Sequence, residues 1–203
     1  VEEKLSMLNG GAEIGLSGGR RVSLRPATLE DYEDLVRVYA STRAGELAQV
    51  AWWDDEQKLA FCRSQYDAQK AEYEAVYPRT EYDVILLDGR TAGRIWVARD
   101  EEEIRLLDIA LLPEAQRQGV GAALVGALIE EARSTARRLR HMVFVLNTDA
   151  RRFYERLGFQ VFEEIGAYVH MQWHPDTGRA VADETDETDE TGEAHLKKLN
   201  TAS

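Results

Sequence analysis

The chain has 203 residues, and its 44% apolar and 8% aromatic content can build a real core, which excludes a wholly disordered polypeptide. A net charge of −12 argues against a nucleic-acid backbone or an anionic membrane as the main partner and suits cationic small molecules better. The single cysteine, Cys62, excludes an internal disulfide and a cysteine-rich zinc site; no apolar run approaches the ~18 residues of a membrane span, and the N-terminus lacks a signal-peptide core, so a soluble cytoplasmic protein is expected.

Residues 1–19 hold five glycines and little periodicity, and read as a flexible leader. Val22 to Arg25 predicts a short strand ended by Pro26, and Leu29 to Thr42 has helical spacing. Asp54 and Gln57 form a capping pair, because an Asp side chain accepts from the free amides of a first helical turn. Leu59, Cys62, Tyr66, Tyr73 and Val76 then recur at helical intervals, predicting a long amphipathic helix to Tyr77 that Pro78 stops. Tyr82 to Leu87, a turn at Asp88 and Gly89, Gly93 to Ala98, an acidic turn over Asp100 to Glu103, and Ile104 to Leu112 read as an antiparallel meander. Gln116 to Leu139 predicts a helix with Val120, Leu124 and Leu128 on one face. Met142 to Leu146 reads as a buried strand, Ala150 to Leu157 as a short helix, and Phe159 to Trp173 as a final pair of strands. Asp-Glu-Thr occurs three times over Asp183 to Thr191, and residues 176–203 read as an acidic disordered tail with little to bury. The order predicts one mixed α/β domain over residues 20–175.

The stretch richest in chemistry joins an apolar strand to a helix. Gly119 and Gly121 open that helix, where glycines let a ligand approach the backbone and the first-turn amides have no partner within the helix. Those amides and the helix dipole favour an anion, and Arg117 adds a formal charge, so a phosphate or pyrophosphate is the expected guest. The glycines fit close helix–strand packing as well. A P-loop would need Gly-Lys-Ser/Thr at this point, and a dinucleotide site a third glycine near Leu124 and an acidic ribose ligand about 20 residues onward; neither is present.

Gln-Arg-Gln-Gly-Val-Gly at residues 116–121, after an apolar strand and Pro113, matches the Gln/Arg-x-x-Gly-x-Gly/Ala signature of the GNAT N-acetyltransferases. Residues 147–159 resemble that superfamily's Asn-x-x-Ala-x-x-x-Tyr-x-x-x-Gly-Phe segment through Asn147, Ala150, Tyr154, Gly158 and Phe159. The resemblance extends over nearly all of residues 20–175. It implies a GNAT fold: an α/β (α+β) domain with a mixed, mostly antiparallel sheet of six to seven strands and helices on both faces. It also implies acetyl-CoA as acyl donor, with no metal. In such proteins the fourth strand splays from the fifth and offers main-chain groups to the pantetheine arm, here at Ile109 and Leu111 flanking Ala110. The pyrophosphate would sit on the amides of Gln116, Arg117, Gln118, Gly119, Val120, Gly121 and Ala122. Asn147 would hydrogen-bond the pantetheine, although an asparagine after a strand also serves as a helix cap. Tyr154 would act as general acid to the departing thiolate; its other reading is an aromatic packed beside Phe153 and Leu157.

Asp108 interrupts an apolar run, where an ionisable group is costly unless paired. It reads either as a base that takes the acceptor's proton or as a structural hydrogen-bonding group, and strand parity places it opposite Leu107, Ile109 and Leu111. In GNAT folds the acceptor pocket is commonly lined by the connection between the first two helices and by the last hairpin. Here those regions carry Glu46, Trp52 and Trp53, and Glu163, Glu164 and Tyr168, whose aromatic faces and carboxylates suit an ammonium group. Stapling of the helix entry by Trp52 and Trp53 is the alternative. The expected activity is direct acetyl transfer from acetyl-CoA to a primary amine on a small molecule or peptide, by a monomer or homodimer with no nucleic-acid or membrane partner. The rival is a non-catalytic acyl-CoA-binding sensor on the same fold.

Overall fold

The computed structural model describes residues 13–77 and 80–175. The chain opens with β1 (Glu13–Gly15) and a 3-10 turn, then β2 (Arg21–Pro26). Thr28 and Asp31 form a reciprocal cap that opens the helical segment at Leu29 as a 3-10 turn (Leu29–Asp31), which runs directly into α1 (Tyr32–Thr42). α2 (Ala44–Gln49) lies within what reads as an open connection. α3 (Asp55–Val76) begins where expected: the Asp54 carboxylate accepts from the Gln57 amide at 2.8 Å, and Gln57 Oε1 accepts from the Asp54 amide at 3.0 Å. Pro78, expected to stop this helix, lies outside the described residues.

The meander forms as β3 (Thr80–Leu87), β4 (Arg90–Arg99) and β5 (Glu103–Leu111). α4 (Val120–Thr135) is shorter than the expected Gln116 to Leu139. Arg117 and Gly119 have φ of 57° and 84°, which keeps them outside helical geometry, and Ala136 ends the helix at φ 54°. Leu139 therefore belongs to β6 (Arg138–Phe144), which starts earlier than the expected Met142. α5 (Thr148–Arg156), β7 (Gln160–Ile165) and β8 (Tyr168–Trp173) complete the chain.

The strands form one sheet in the order β1-β2-β3-β4-β5-β6-β8-β7, antiparallel except for the β5–β6 pair. It has eight strands among the described residues, not six or seven. The extra one is β1, from the segment read as leader, which pairs with β2 from Glu13↔Ser23 to Gly15↔Arg21. The rest of that leader and the acidic segment 176–203 lie outside the described residues. Strand alternation sends Val84 and Ile85 to opposite faces. Val84 joins Leu35, Val36 and Tyr39 of α1 and Cys62 and Tyr66 of α3, while Ile85 joins Leu124, Val125 and Leu128 of α4 and Tyr154 of α5. Helices thus cover both faces. No helix among the described residues is long and apolar enough to cross a membrane.

Candidate active site

β5 and β6 run in register only from Glu103↔Arg138 to Leu106↔His141. Beyond that point β5 continues to Leu111 with β4 alone, and β6 continues to Phe144 with β8 alone, so the two strands fork. The cause is local. Val97 pairs with Leu106 and Trp96 with Asp108, which leaves Leu107 as an extra residue on β5. Such a bulge bends its strand and strengthens the twist. Ile109, Ala110 and Leu111 therefore border the fork, as the resemblance implies. Leu111 is partly engaged: its carbonyl accepts from the Gln116 side-chain amide at 2.9 Å.

The bulge also corrects the parity expected of Asp108. Leu107 packs with Tyr73 and Trp96, on the face covered by α1 and α3. Asp108 lies on that same face, where its carboxylate accepts from Arg94 Nε at 2.8 Å. Asp108 remains opposite Ile109 and Leu111, which pack toward α4. Arg94 is 1% exposed; its Nη2 donates to Gln69 Oε1 at 2.8 Å, and its guanidinium carbon lies 5.4 Å from the Tyr39 ring centroid and 5.5 Å from that of Tyr66. Asp108 is thus the counter-charge of a buried cation, which favours the structural one of its two readings.

At the mouth of the fork the chain turns into α4. The first bond of that helix has the Ala123 amide donating to the Gly119 carbonyl, so the preceding amides lie outside its ladder. The Gln116 amide donates to Pro113 in the turn before, which leaves the amides of Arg117 to Ala122 as the candidates for an anion. Positive φ at Arg117 and Gly119 turns this loop, and a Cβ built at Gly119 would meet nothing within 4 Å, so the space above it is open. At Gly121 a Cβ would touch Phe153 and Leu111 at ordinary contact distances of 3.7 and 3.9 Å. Gln118 braces the loop, donating to the Glu114 carbonyl and accepting from Arg20, which also pairs with Asp88 at 2.8 Å.

Across the fork, Asn147 Oδ1 caps α5 by accepting from the Ala150 amide at 3.1 Å, so its Nδ2 is the group left for a ligand. Tyr154 follows two turns later, 3% exposed, its ring 5.1 Å from Phe153, 5.3 Å from Phe159 and 4.4 Å from His141. No hydrogen bond among the described residues holds its hydroxyl, and burial pushes the phenol well above its ordinary pKa.

The residues expected around the acceptor each have a local setting. Tyr168 opens β8 with its ring 6.0 Å from Phe144. Glu46 is taken up by Arg43 at 2.9 Å, and Trp53 packs on Phe61 at 5.5 Å, as the stapling alternative has it. Trp52 is 77% exposed, and Glu164 faces Arg151 at 3.6 Å. Sequence reading missed Arg94 and His141. The signal for Arg94 was a lone cation and a lone carboxylate at buried positions of successive meander strands; His141 carried no spacing that marked it.

The sequence profile of the acetyltransferase (GNAT) family matches residues 32–159. Among curated proteins the chain is similar to the uncharacterized N-acetyltransferase CgeE of Bacillus subtilis (strain 168), 26% identical over 153 residues that cover 70% of this chain and 51% of that protein. It spans about half the length of that relative. Among solved structures it resembles the PaiA N-acetyltransferase of Thermoplasma acidophilum in complex with coenzyme A, with a TM-score of 0.57 at 20% identity over 75% of this chain and 98% of that one. An acetyltransferase from Thermus thermophilus has a TM-score of 0.54 at 21% identity, over 74% of this chain and 94% of that one. At these identities the structural likeness is one of fold.

Proposed function

Because the chain belongs to the acetyltransferase (GNAT) family, we propose that it is an acyltransferase moving an acetyl group from acetyl-CoA directly to a primary amine. One observation carries the reading: an unpaired strand edge, an open amide cradle and a phenol with no partner among the described residues meet at a single fork. A pyrophosphate fits the amides of Arg117 to Ala122, where the helix dipole and the Arg117 charge attract it. The pantetheine arm fits the edge at Ile109 and at the Leu111 amide, with Asn147 Nδ2 as a further donor. This brings the thioester toward Tyr154. The amine attacks the thioester carbonyl, the C–S bond breaks, and Tyr154 gives its proton to the thiolate. The phenol is protonated at neutral pH with or without burial, as a general acid requires, and burial makes it the weaker acid. The proton of the attacking amine leaves through water, since Asp108 is engaged by Arg94.

The test is calorimetric titration with acetyl-CoA, followed by CoA release across a panel of small-molecule and peptide amines. Micromolar binding is expected, with release for one class of amine. In that assay Tyr154→Phe lowers kcat by roughly 10²–10⁴-fold and leaves acetyl-CoA affinity near the wild type. Tight binding without release for any amine would support the acyl-CoA sensor instead. No binding would refute both.

A further inference from the structure

We infer that His141 is the positioning residue of the fork: its imidazole closes the β5–β6 ladder and forms the wall against which the Tyr154 ring is set. The inference rests on the acyl-transfer reading of Tyr154 for its consequence, and on geometry for its substance. His141 belongs to the last registered β5–β6 pair, opposite Leu106 and one residue before the bulge at Leu107. Its Nδ1 lies 2.7 Å from the Leu106 carbonyl oxygen. A carbonyl only accepts, so Nδ1 carries the proton and Nε2 the lone pair. The side chain thereby ties β6 to β5 where β5 begins to bend away. Loss of that bond would strip a partner from a carbonyl on a residue 1% exposed.

The same ring lies 4.4 Å from that of Tyr154, tilted by 43°. The other two aromatic neighbours of Tyr154 are Phe153, on its own helix, and Phe159, just beyond it; His141 is the neighbour that comes from the forked strand. It therefore couples the position of the phenol to the opening of the fork. The imidazole shares its face of β6 with Tyr154 from α5 and the uncharged Met171 paired to it on β8, and it senses the charge of Asp108 on β5. Burial lowers its pKa to about 4, so the ring is neutral and its tautomer constant at neutral pH.

The test uses the full chain and two substitutions. His141→Phe keeps a ring beside Tyr154 and removes the donor to Leu106; His141→Asn keeps a donor and removes the ring. Each is expected to lower kcat about tenfold while acetyl-CoA affinity stays within about threefold. In a Tyr154→Phe background neither should cost anything further, because the residue acts through the phenol. Histidine ¹⁵N spectra at pH 7 should show Nδ1 protonated and Nε2 bare. A wild-type kcat in both variants, a tenfold loss that persists beside Tyr154→Phe, or an Nε2–H tautomer would each overturn the inference. If acetyl-CoA binds but no amine is acylated, the acyl-transfer reading fails by itself; the ¹⁵N tautomer then decides the His141 assignment alone, Nδ1–H upholding it and Nε2–H refuting it.

Discussion

Replacing Asp108 by Asn keeps the outline of the side chain and leaves the Arg94 guanidinium, 1% exposed, without its counter-charge. Removing one partner of a buried ion pair costs about 3–5 kcal/mol, since the remaining charge stays desolvated. Here the low end applies. The Asn oxygen can still accept from Arg94 Nε, Gln69 still accepts from Nη2 at 2.8 Å, and the Tyr39 and Tyr66 rings still face the cation. A loss of about 3 kcal/mol, at about 2–4 °C per kcal/mol for a chain of this size, lowers Tm by roughly 6–12 °C. Arg94→Met should cost less, because the Asp108 side chain is 21% exposed and water can reach it. The pair Arg94→Met with Asp108→Leu should be more stable than Asp108→Asn alone, since no buried charge is left. Thermal melts followed by circular dichroism measure all three. A Tm for Asp108→Asn within 2 °C of wild type, or a double variant less stable than the single one, would refute the argument. Turnover of the double variant adds a second reading: recovery marks Asp108 as structural, whereas a loss of about 10²-fold or more in a stable protein would restore it as the base.

Gly119→Glu forces a side chain into a backbone conformation at φ 84° and sets a carboxylate where the pyrophosphate is proposed, so acetyl-CoA affinity should fall at least 10²-fold by calorimetry with the circular dichroism spectrum unchanged. Gly93→Ala should destabilise the domain or prevent folding, because the new Cβ would overlap the Ala110 carbonyl oxygen and lie 3.0 Å from Leu111 Cδ2; a Tm equal to wild type would show that β4 and β5 can part there. Asp83→Asn should stabilise the protein at pH 8 and not at pH 4. Burial, reinforced by Glu81, raises the Asp83 pKa from 3.8 to about 6, so the folded state holds that proton more tightly and stability is lost as pH rises from about 4 to about 6, by at most about 3 kcal/mol. A Tm at pH 8 below the wild type would overturn that sign.

Much of the architecture is written locally. The Asp54 and Gln57 cap places the start of α3, and the two motifs place the cradle and Tyr154 on opposite sides of one fork. What escapes the sequence depends on register and on distant partners. The extra residue at Leu107 has no glycine or proline to announce it, yet it moves Asp108 to the face of its neighbour. The end of α4 at Ala136 is equally silent, because a left-handed alanine stands where a glycine is usual. The role of Asp108 is decided by Arg94, fourteen residues away on another strand, and that of Asn147 by an amide only three residues on. Short-range caps can be read from composition; a charge pair across a bulged ladder requires the ladder.

Among the described residues, the seam of four residue pairs between β5 and β6 is the sole ladder joining an N-terminal leaf, β1 to β5, to a C-terminal leaf of β6, β8 and β7. Its closed end is riveted by Glu103, which meets Arg105 at 2.9 Å, Arg140 at 3.2 Å and Arg138 at 3.8 Å; its other end is held by the His141 imidazole on the Leu106 carbonyl. A seam this short leaves the strand ends beyond it without a ladder between them. A molecule lodged between them prolongs the seam, so a ligand at a hundredfold excess over its Kd should hold the leaves together by about 2.7 kcal/mol. Amide exchange over Leu107 to Leu111 and Met142 to Phe144 should then slow in step with ligand occupancy, while exchange at the hub around Glu103 stays as it was.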